Sequence, residues 1–166
     1  MSMAEKTIRD RFQTLDSLRH SKMERARHCA SLTVPSLLPP EGWNEEMSLN
    51  SPYSSVASRG VTSMASRILS ALLPLNDTPF FRFELRNGME PDQETNEFLD
   101  AVSYQVYNKL SSKNLRETLF LALQHLIVAG DCLLIQEDNL NFRVLRLDQY
   151  VVRRNVDGDV QELIHL

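Results

Sequence analysis

SPYSSVASRGVTSMASRILSALLP, residues 51–74, reads as one long amphipathic helix crowded with small side chains. Ser51 suits an N-cap and Pro52 the first helical position, where a missing N–H costs nothing. Pro74 and the turn-forming Asn76-Asp77-Thr78-Pro79 mark the stop. Ala57, Val61, Met64, Ile68 and Leu72 recur every three to four residues and so share a face. Among the other positions Gly60, Ala65, Ser66 and Ala71 leave a slim rod that neighbouring backbones can approach closely. These four form a candidate packing hub, either inside a core or between subunits. An ordinary core helix carries the same pattern, so the stretch alone does not separate the two.

Upstream, residues 4–30 read as a first helix, with Ile8, Phe12, Leu15 and Leu18 beginning an apolar stripe that Ala26 and Cys29 extend less regularly. Arg9, Arg11, Arg19, Lys22, Arg25 and Arg27 crowd its other faces. Such a face fits contact with an acidic partner or DNA phosphates, but equally a solvated helix with local pairs such as Asp16–Arg19. Arg19, Arg25 and Arg27 are the candidate contact residues. Pro35, Pro39 and Pro40 then break any helix, and the only tryptophan, Trp43, sits in a polar run where it could anchor the loop on the domain or on a neighbour. The organisation expected is a basic helix over 1–32, a proline-containing connector over 33–50, and an α+β region over 51–166.

Downstream, Phe80 to Leu85 alternates apolar with polar and reads as a strand, with Arg86-Asn87-Gly88 turning the chain. Asp92 to Ser112 and Leu115 to Ala129 return to helical period, and Gly130 suits a left-handed C-cap. The last third has strand period at Cys132–Gln136, Asn141–Leu147, Gln149–Asn155 and Val160–Leu166, with Asp138-Asn139 and Asp157-Gly158 as turns. Helices first and short strands later give an α+β chain with a small, mostly antiparallel sheet.

With 166 residues, 42% hydrophobic and 24% charged, the chain is long enough for a real core and is not disordered throughout. No apolar run reaches the roughly 20 residues of a membrane span, and the N-terminus has charge but no apolar signal region. The net charge of -4 hides an asymmetry: residues 1–28 hold seven Lys/Arg against four Asp/Glu, and the remainder eleven against eighteen. An acidic body repels DNA, which disfavours a duplex-binding module and suits a conduit. Cys29 and Cys132 lie in no Cys-x-x-Cys pair and are expected to be buried, reduced thiols. The five glycines form no phosphate-binding loop, and no nucleophile elbow is present. His20, His28, His125 and His165 lack metal-ligand spacing. A hydrolytic pair of His125 with Asp131 is conceivable, although a polar position on a part-buried helix explains His125 more simply. Asp157-Gly158-Asp159 lacks the other ligands of a calcium loop. No catalytic, cofactor or metal site is expected.

Four runs in order carry a resemblance: CASLTVPSLLP at 29–39, SVASRGVTSMASRILSALLP at 55–74, TLFLAL through VAG over 118–130, and YVVRR with Asp157-Gly158 after it. Together they resemble the N-terminal portion of the head-to-tail connector, or portal, protein of short-tailed, autographivirus-type bacteriophages. The resemblance implies a wing-type region of a subunit cut short at Leu166, whose channel-lining helix and terminase-binding clip would come from later sequence. It implies a structural, non-catalytic subunit of a ring, a homododecamer, at one capsid vertex of the virion. That ring forms a DNA channel, nucleates head assembly, docks the packaging terminase and attaches the tail. The implied partners are further copies of the chain, major capsid and scaffolding proteins, terminase, tail adaptor proteins, and DNA passing without sequence specificity, with no membrane and no cofactor. The competing reading is a small nucleic-acid-binding module that uses the basic N-terminal helix.

Overall fold

A computed structural model describes residues 7–74, 78–86 and 92–165. Five helices, α1 Ile8–Leu18, α2 His20–Leu32, α3 Val56–Leu72, α4 Gln93–Ser111 and α5 Leu115–Ala129, precede four strands, β1 Leu133–Gln136, β2 Phe142–Leu145, β3 Tyr150–Arg154 and β4 Val160–His165. The strands form two separate antiparallel hairpins, β1 with β2 and β3 with β4. The architecture is thus the α+β layout expected from the sequence, with the sheet divided into two-stranded ribbons.

α5 is the central element. It is apolar on nearly every face, the pattern of a helix enclosed by neighbours. α3, α2, α4, the single turn at Pro35–Leu37 and β2 all pack around it. Gly130, at φ 79°, supplies the left-handed residue that ends it and turns the chain into β1. Arg116 Nη1 donates to the Leu73 carbonyl at 2.8 Å, satisfying a group just past the end of α3. Asn114 acts as a surrogate strand: its Nδ2 donates to the Phe142 carbonyl at 2.8 Å, and its Oδ1 accepts from the Phe142 N–H at 3.0 Å. The main core joins Met23, Ala26, Ala30, Leu37, Leu38, Val61, Val128, Leu145, Leu147 and Tyr150, and so draws on both ends of the chain. A second, smaller cluster of Phe12, Val151 and Ile164, with Leu15 against it, seats α1 on the β3–β4 hairpin.

Several expectations need correction. The single helix over 4–30 is two helices, and its proposed start at Ala4 lies outside the described residues. Arg19 leaves helical geometry at φ -104°, ψ 8°, and its N–H bonds back to Asp16 and Ser17. The break lets Phe12 and Leu15 reach one core cluster and Met23, Ala26 and Ala30 the other. Leu18 is left exposed. The helix read from Ser51 begins at Val56 with Ser55 at its N-cap, so Ser51 and Pro52 precede it. Its buried stripe is Val61, Ala65 and Leu69, while Met64 and Leu72 are 55% and 54% exposed. The true stripe runs every four residues and includes Ala65, one of the small residues outside the stripe read from the sequence. Residues 80–85 form no strand, since among the described residues no second strand pairs with them to complete a ladder. T-shaped contacts among Phe80, Phe81, Phe83 and Tyr107, and a bond from the Phe83 N–H to Ser103 Oγ at 3.4 Å, hold the segment on α4 instead. The turns expected at Asn76-Asp77 and Asn87-Gly88 lie outside the described residues. Cys29 is exposed and Cys132 half-buried, so only Cys132 approaches the buried thiol expected.

Candidate functional site

The candidate contact residues divide between two surfaces. At 3.6 residues per turn, Lys22, Arg25 and Cys29 project from one side of α2, and Glu24, Arg27 and Ser31 from a side about half a turn away. Each side borders a depression. Arg19 and Arg25 fall on the first, Arg27 and Trp43 on the second.

The first depression is an open groove of about 730 Å³ between α2, the C-terminal end of α5 and β3. Its charged lining is Arg19, Lys22, Arg25 and Arg154 against one carboxylate, Asp131. Arg19 Nε bonds Asp16 Oδ1 at 2.9 Å, and its guanidinium stands 6.0 Å from the centre of the Tyr150 ring. Tyr150 is 2% exposed, yet its hydroxyl has no well-formed hydrogen bond, and Arg19 Nη2, although 2.9 Å from Asp16 Oδ1, is likewise without one. Burial pushes the Tyr150 phenol well above its ordinary value, and the neighbouring Asp131 carboxylate pushes it further, so the group stays a neutral O–H donor. Lys22 and Arg25 form no ion pair among the described residues. Lys22 and Arg25, without ion pairs among the described residues, give this side of the molecule its cationic character.

The second depression, about 490 Å³, lies between the other side of α2 and residues 35–50. Arg27 Nη1 bonds Glu41 Oε2 at 3.0 Å, tying the loop to the helix. Trp43 Nε1 donates to the Met47 carbonyl at 2.8 Å, so the indole braces its own loop while remaining half-buried. Glu45 and Glu46 are exposed and have no ion pair among the described residues.

The four residues of the packing hub also separate. Ala65 is fully buried where α3 meets α5. Gly60, Ser66 and Ala71 are exposed, and a Cβ added at Gly60 would meet nothing within 4 Å. At 3.6 residues per turn Gly60 and Ala71 project beside the exposed Met64, and Ser66 from a different exposed side of α3.

His125 and Asp131 do not form a hydrolytic pair. His125 is 3% exposed, its Nδ1 has no hydrogen-bond partner, and the charges acting on it are those of Arg146 and Asp148. Asp131 lines the cationic groove instead. Burial, aided by Arg146, lowers the His125 pKa below its ordinary value of 6.5. A base with a depressed folded-state pKa binds fewer protons folded than unfolded, so stability should fall as pH drops below about 6.5. Urea melts between pH 8 and 5.5 check this: His125→Gln should flatten the slope near pH 6, and an unchanged slope would refute it. Among the described residues no group of three or more His, Cys, Asp or Glu could hold a metal ion, and no helix is long and apolar enough to cross a membrane.

Residues 5–165 match the family model described as bacteriophage head to tail connecting protein. The chain is 32% identical over 163 residues to the portal protein of Enterobacteria phage T3, covering 92% of this chain and 30% of that protein. It is 31% identical over 173 residues to the portal protein of Escherichia phage T7, covering 98% and 32%, and 28% identical over 153 residues to that of Enterobacteria phage SP6, covering 87% and 29%. The chain therefore spans about three-tenths of the length of these relatives. The order of the four recognised runs was the sequence signal for this kinship, whereas the cationic groove was legible only in the basic residues of α2, because Arg154 and Tyr150 join them only through the fold.

Proposed function

The chain belongs to the bacteriophage head-to-tail connecting protein family, and from that premise we propose that it is the wing-type part of a portal subunit. In this reading copies assemble into a ring, a dodecamer, at one vertex of the capsid. The ring nucleates the head with capsid and scaffolding proteins, docks the packaging terminase, admits DNA through its channel without reading its sequence, and holds the tail adaptors. The subunit is structural, performs no catalysis, and resides in the virion at the head–tail junction after assembly in the host cytoplasm. The observation that carries this reading is the family match across nearly the whole chain. The unlike surfaces on α2 add support, since unlike faces are what a head-to-tail ring contact requires.

Electron microscopy and native mass spectrometry of the complete subunit test the reading. Closed rings with an axial channel are expected. A subunit that stays monomeric at micromolar concentration, and binds duplex DNA with a steep salt dependence, would instead establish the nucleic-acid-binding module.

Within the ring we assign Gly60 and Ala71 on one side of α3, and Ser66 on another, to contacts made on assembly, and Ala65 to the fold of the single chain. Ala65→Leu should cost about 1–3 kcal/mol of unfolding free energy by overpacking the α3–α5 seam. Ser66→Phe should leave the melting of the single chain nearly unchanged while impairing ring formation. Equal thermal shifts for the two variants, or normal rings from Ser66→Phe, would refute the division.

A further inference from the structure

We propose that the cationic groove between α2, the end of α5 and β3 receives the acidic 41–46 loop of a second copy of this chain, making successive copies meet head to tail. The proposal rests on the ring reading and adds to it the two surfaces that touch. The groove is electrostatically incomplete: its lining has four cations and one carboxylate, and of the four only Arg19 has an ion pair, to Asp16, among the described residues. Inside it the buried Tyr150 hydroxyl, with Asp131 beside it, makes no well-formed hydrogen bond, while Arg19 is held by Asp16. The hydroxyl is a donor and Lys22 and Arg25 are cations without an ion pair among the described residues, so the complementary group is an acceptor of negative charge. The loop has the complementary defect, because Glu45 and Glu46 are exposed without an ion pair among the described residues.

Intramolecular neutralisation is blocked by geometry. The groove and the loop border opposite sides of α2, and the Arg27–Glu41 pair ties the loop to its own side. A surface and its complement on opposite sides of one rigid helix generate a heterologous contact that each added copy can extend. The Trp43–Met47 bond braces the loop before association, which reduces the ordering cost of docking. Duplex DNA is the less suitable occupant. Asp131 stands inside the groove, and residues 29–166 carry eleven Lys/Arg against eighteen Asp/Glu, so a long polyanion would meet the net negative charge of the rest of the chain.

The experiment compares the full chain with three variants by native mass spectrometry and sedimentation velocity. Lys22→Glu with Arg25→Glu should weaken self-association about tenfold or more, and Glu45→Lys with Glu46→Lys should do the same. Mixing the two variants should restore association, because the reversed groove of one meets the reversed loop of the other. Tyr150→Phe should fold normally and weaken association roughly threefold to tenfold, the worth of one hydrogen bond. A Glu45→Cys chain provides a check that tolerates weak association. Cys29 lines the groove and is exposed, so mild oxidation should yield disulfide ladders that join Cys29 of one copy to the introduced loop thiol of the next.

Association indifferent to both charge reversals, or no rescue on mixing, would overturn the proposal while leaving the ring reading intact. The absence of both self-association and disulfide ladders in the chain would overturn it as well. The ring reading falls separately, if the complete subunit forms no rings. Binding of a labelled DNA duplex that Lys22→Glu with Arg25→Glu abolishes, with association unchanged, would make the groove a phosphate surface and also overturn the proposal.

Discussion

Leu38→Ala is expected to lower the unfolding free energy by about 2–5 kcal/mol, the range for removing a buried leucine where the surroundings relax only in part. Leu38 is 2% exposed and belongs to the cluster that joins Met23, Ala30, Val61, Val128 and Leu145. Its position in the chain gives no hint of this, because it sits between Pro35 and Pro39 in a stretch with no regular element beyond a single turn. The side chain closes the space between α2, α3 and α5, so truncation leaves a cavity bordered by rigid helices. Against a total of roughly 5–15 kcal/mol for a domain, this is a large fraction. At about 2–4 °C per kcal/mol for a chain of this size, the midpoint should drop by several degrees or more. Calorimetry of Leu38→Ala beside Leu18→Ala decides the matter, since Leu18 is 79% exposed and its loss should change little. Equal midpoints would show that residues 33–50 are an accessory connector with no part in the core.

How much of the molecule was legible in the sequence depended on whether the signal was local. Helix and strand types follow from local period, so α3, α4, α5 and all four strands were readable to within a few residues. The helical period was read from Asp92, and Asp92 is the N-cap of α4, accepting from the Thr95 N–H at 2.9 Å. Asp157-Gly158 reads as a hairpin turn, and Gly158 has φ 94° between β3 and β4. What failed was tertiary. Alternation in Phe80 to Leu85 fits a strand, but only a neighbouring strand makes it one. The apolar stripe through residues 8–30 is continuous, yet no local residue announces that its two halves serve different clusters and must part at Arg19. Small residues on α3 look equivalent in sequence, but of Gly60, Ala65, Ser66 and Ala71 only Ala65 is buried. The basic residues of α2 were visible as a group, while the partition of Arg19 and Arg25 from Arg27 needed the helix phase together with the position of β3. The family kinship was readable from four ordered runs, each of them a core-building segment rather than a chemical motif.

Val151→Asp should have the largest effect of any single change, because it places an ionisable group where no charge can be met. Val151 is 0% exposed and packs with Phe12 and Ile164, which together form the whole of the second cluster. A carboxylate buried without a partner costs about 3–5 kcal/mol or more, or else must take up a proton and still lose its hydrogen bonds to water. The damage should also be directional. Phe12 is the only buried residue of α1, so the helix has no other anchor among the described residues beyond the partly buried Leu15 and the Arg11–Glu162 ion pair. Amide exchange over residues 8–18 and in the β3–β4 hairpin should therefore accelerate before that of α3 and α5, whose packing lies in the main core. Because β3 brings Tyr150 and Arg154 to the cationic groove, the groove should dissolve with the hairpin and self-association should disappear in the same variant. Val156→Asp, at a fully exposed position in the intervening turn, serves as the control and should stay within about 0.5 kcal/mol of the parent. Uniform acceleration of exchange across all five helices would show that the two clusters unfold as one unit. Wild-type melting of Val151→Asp would show that β3 is not buried at all.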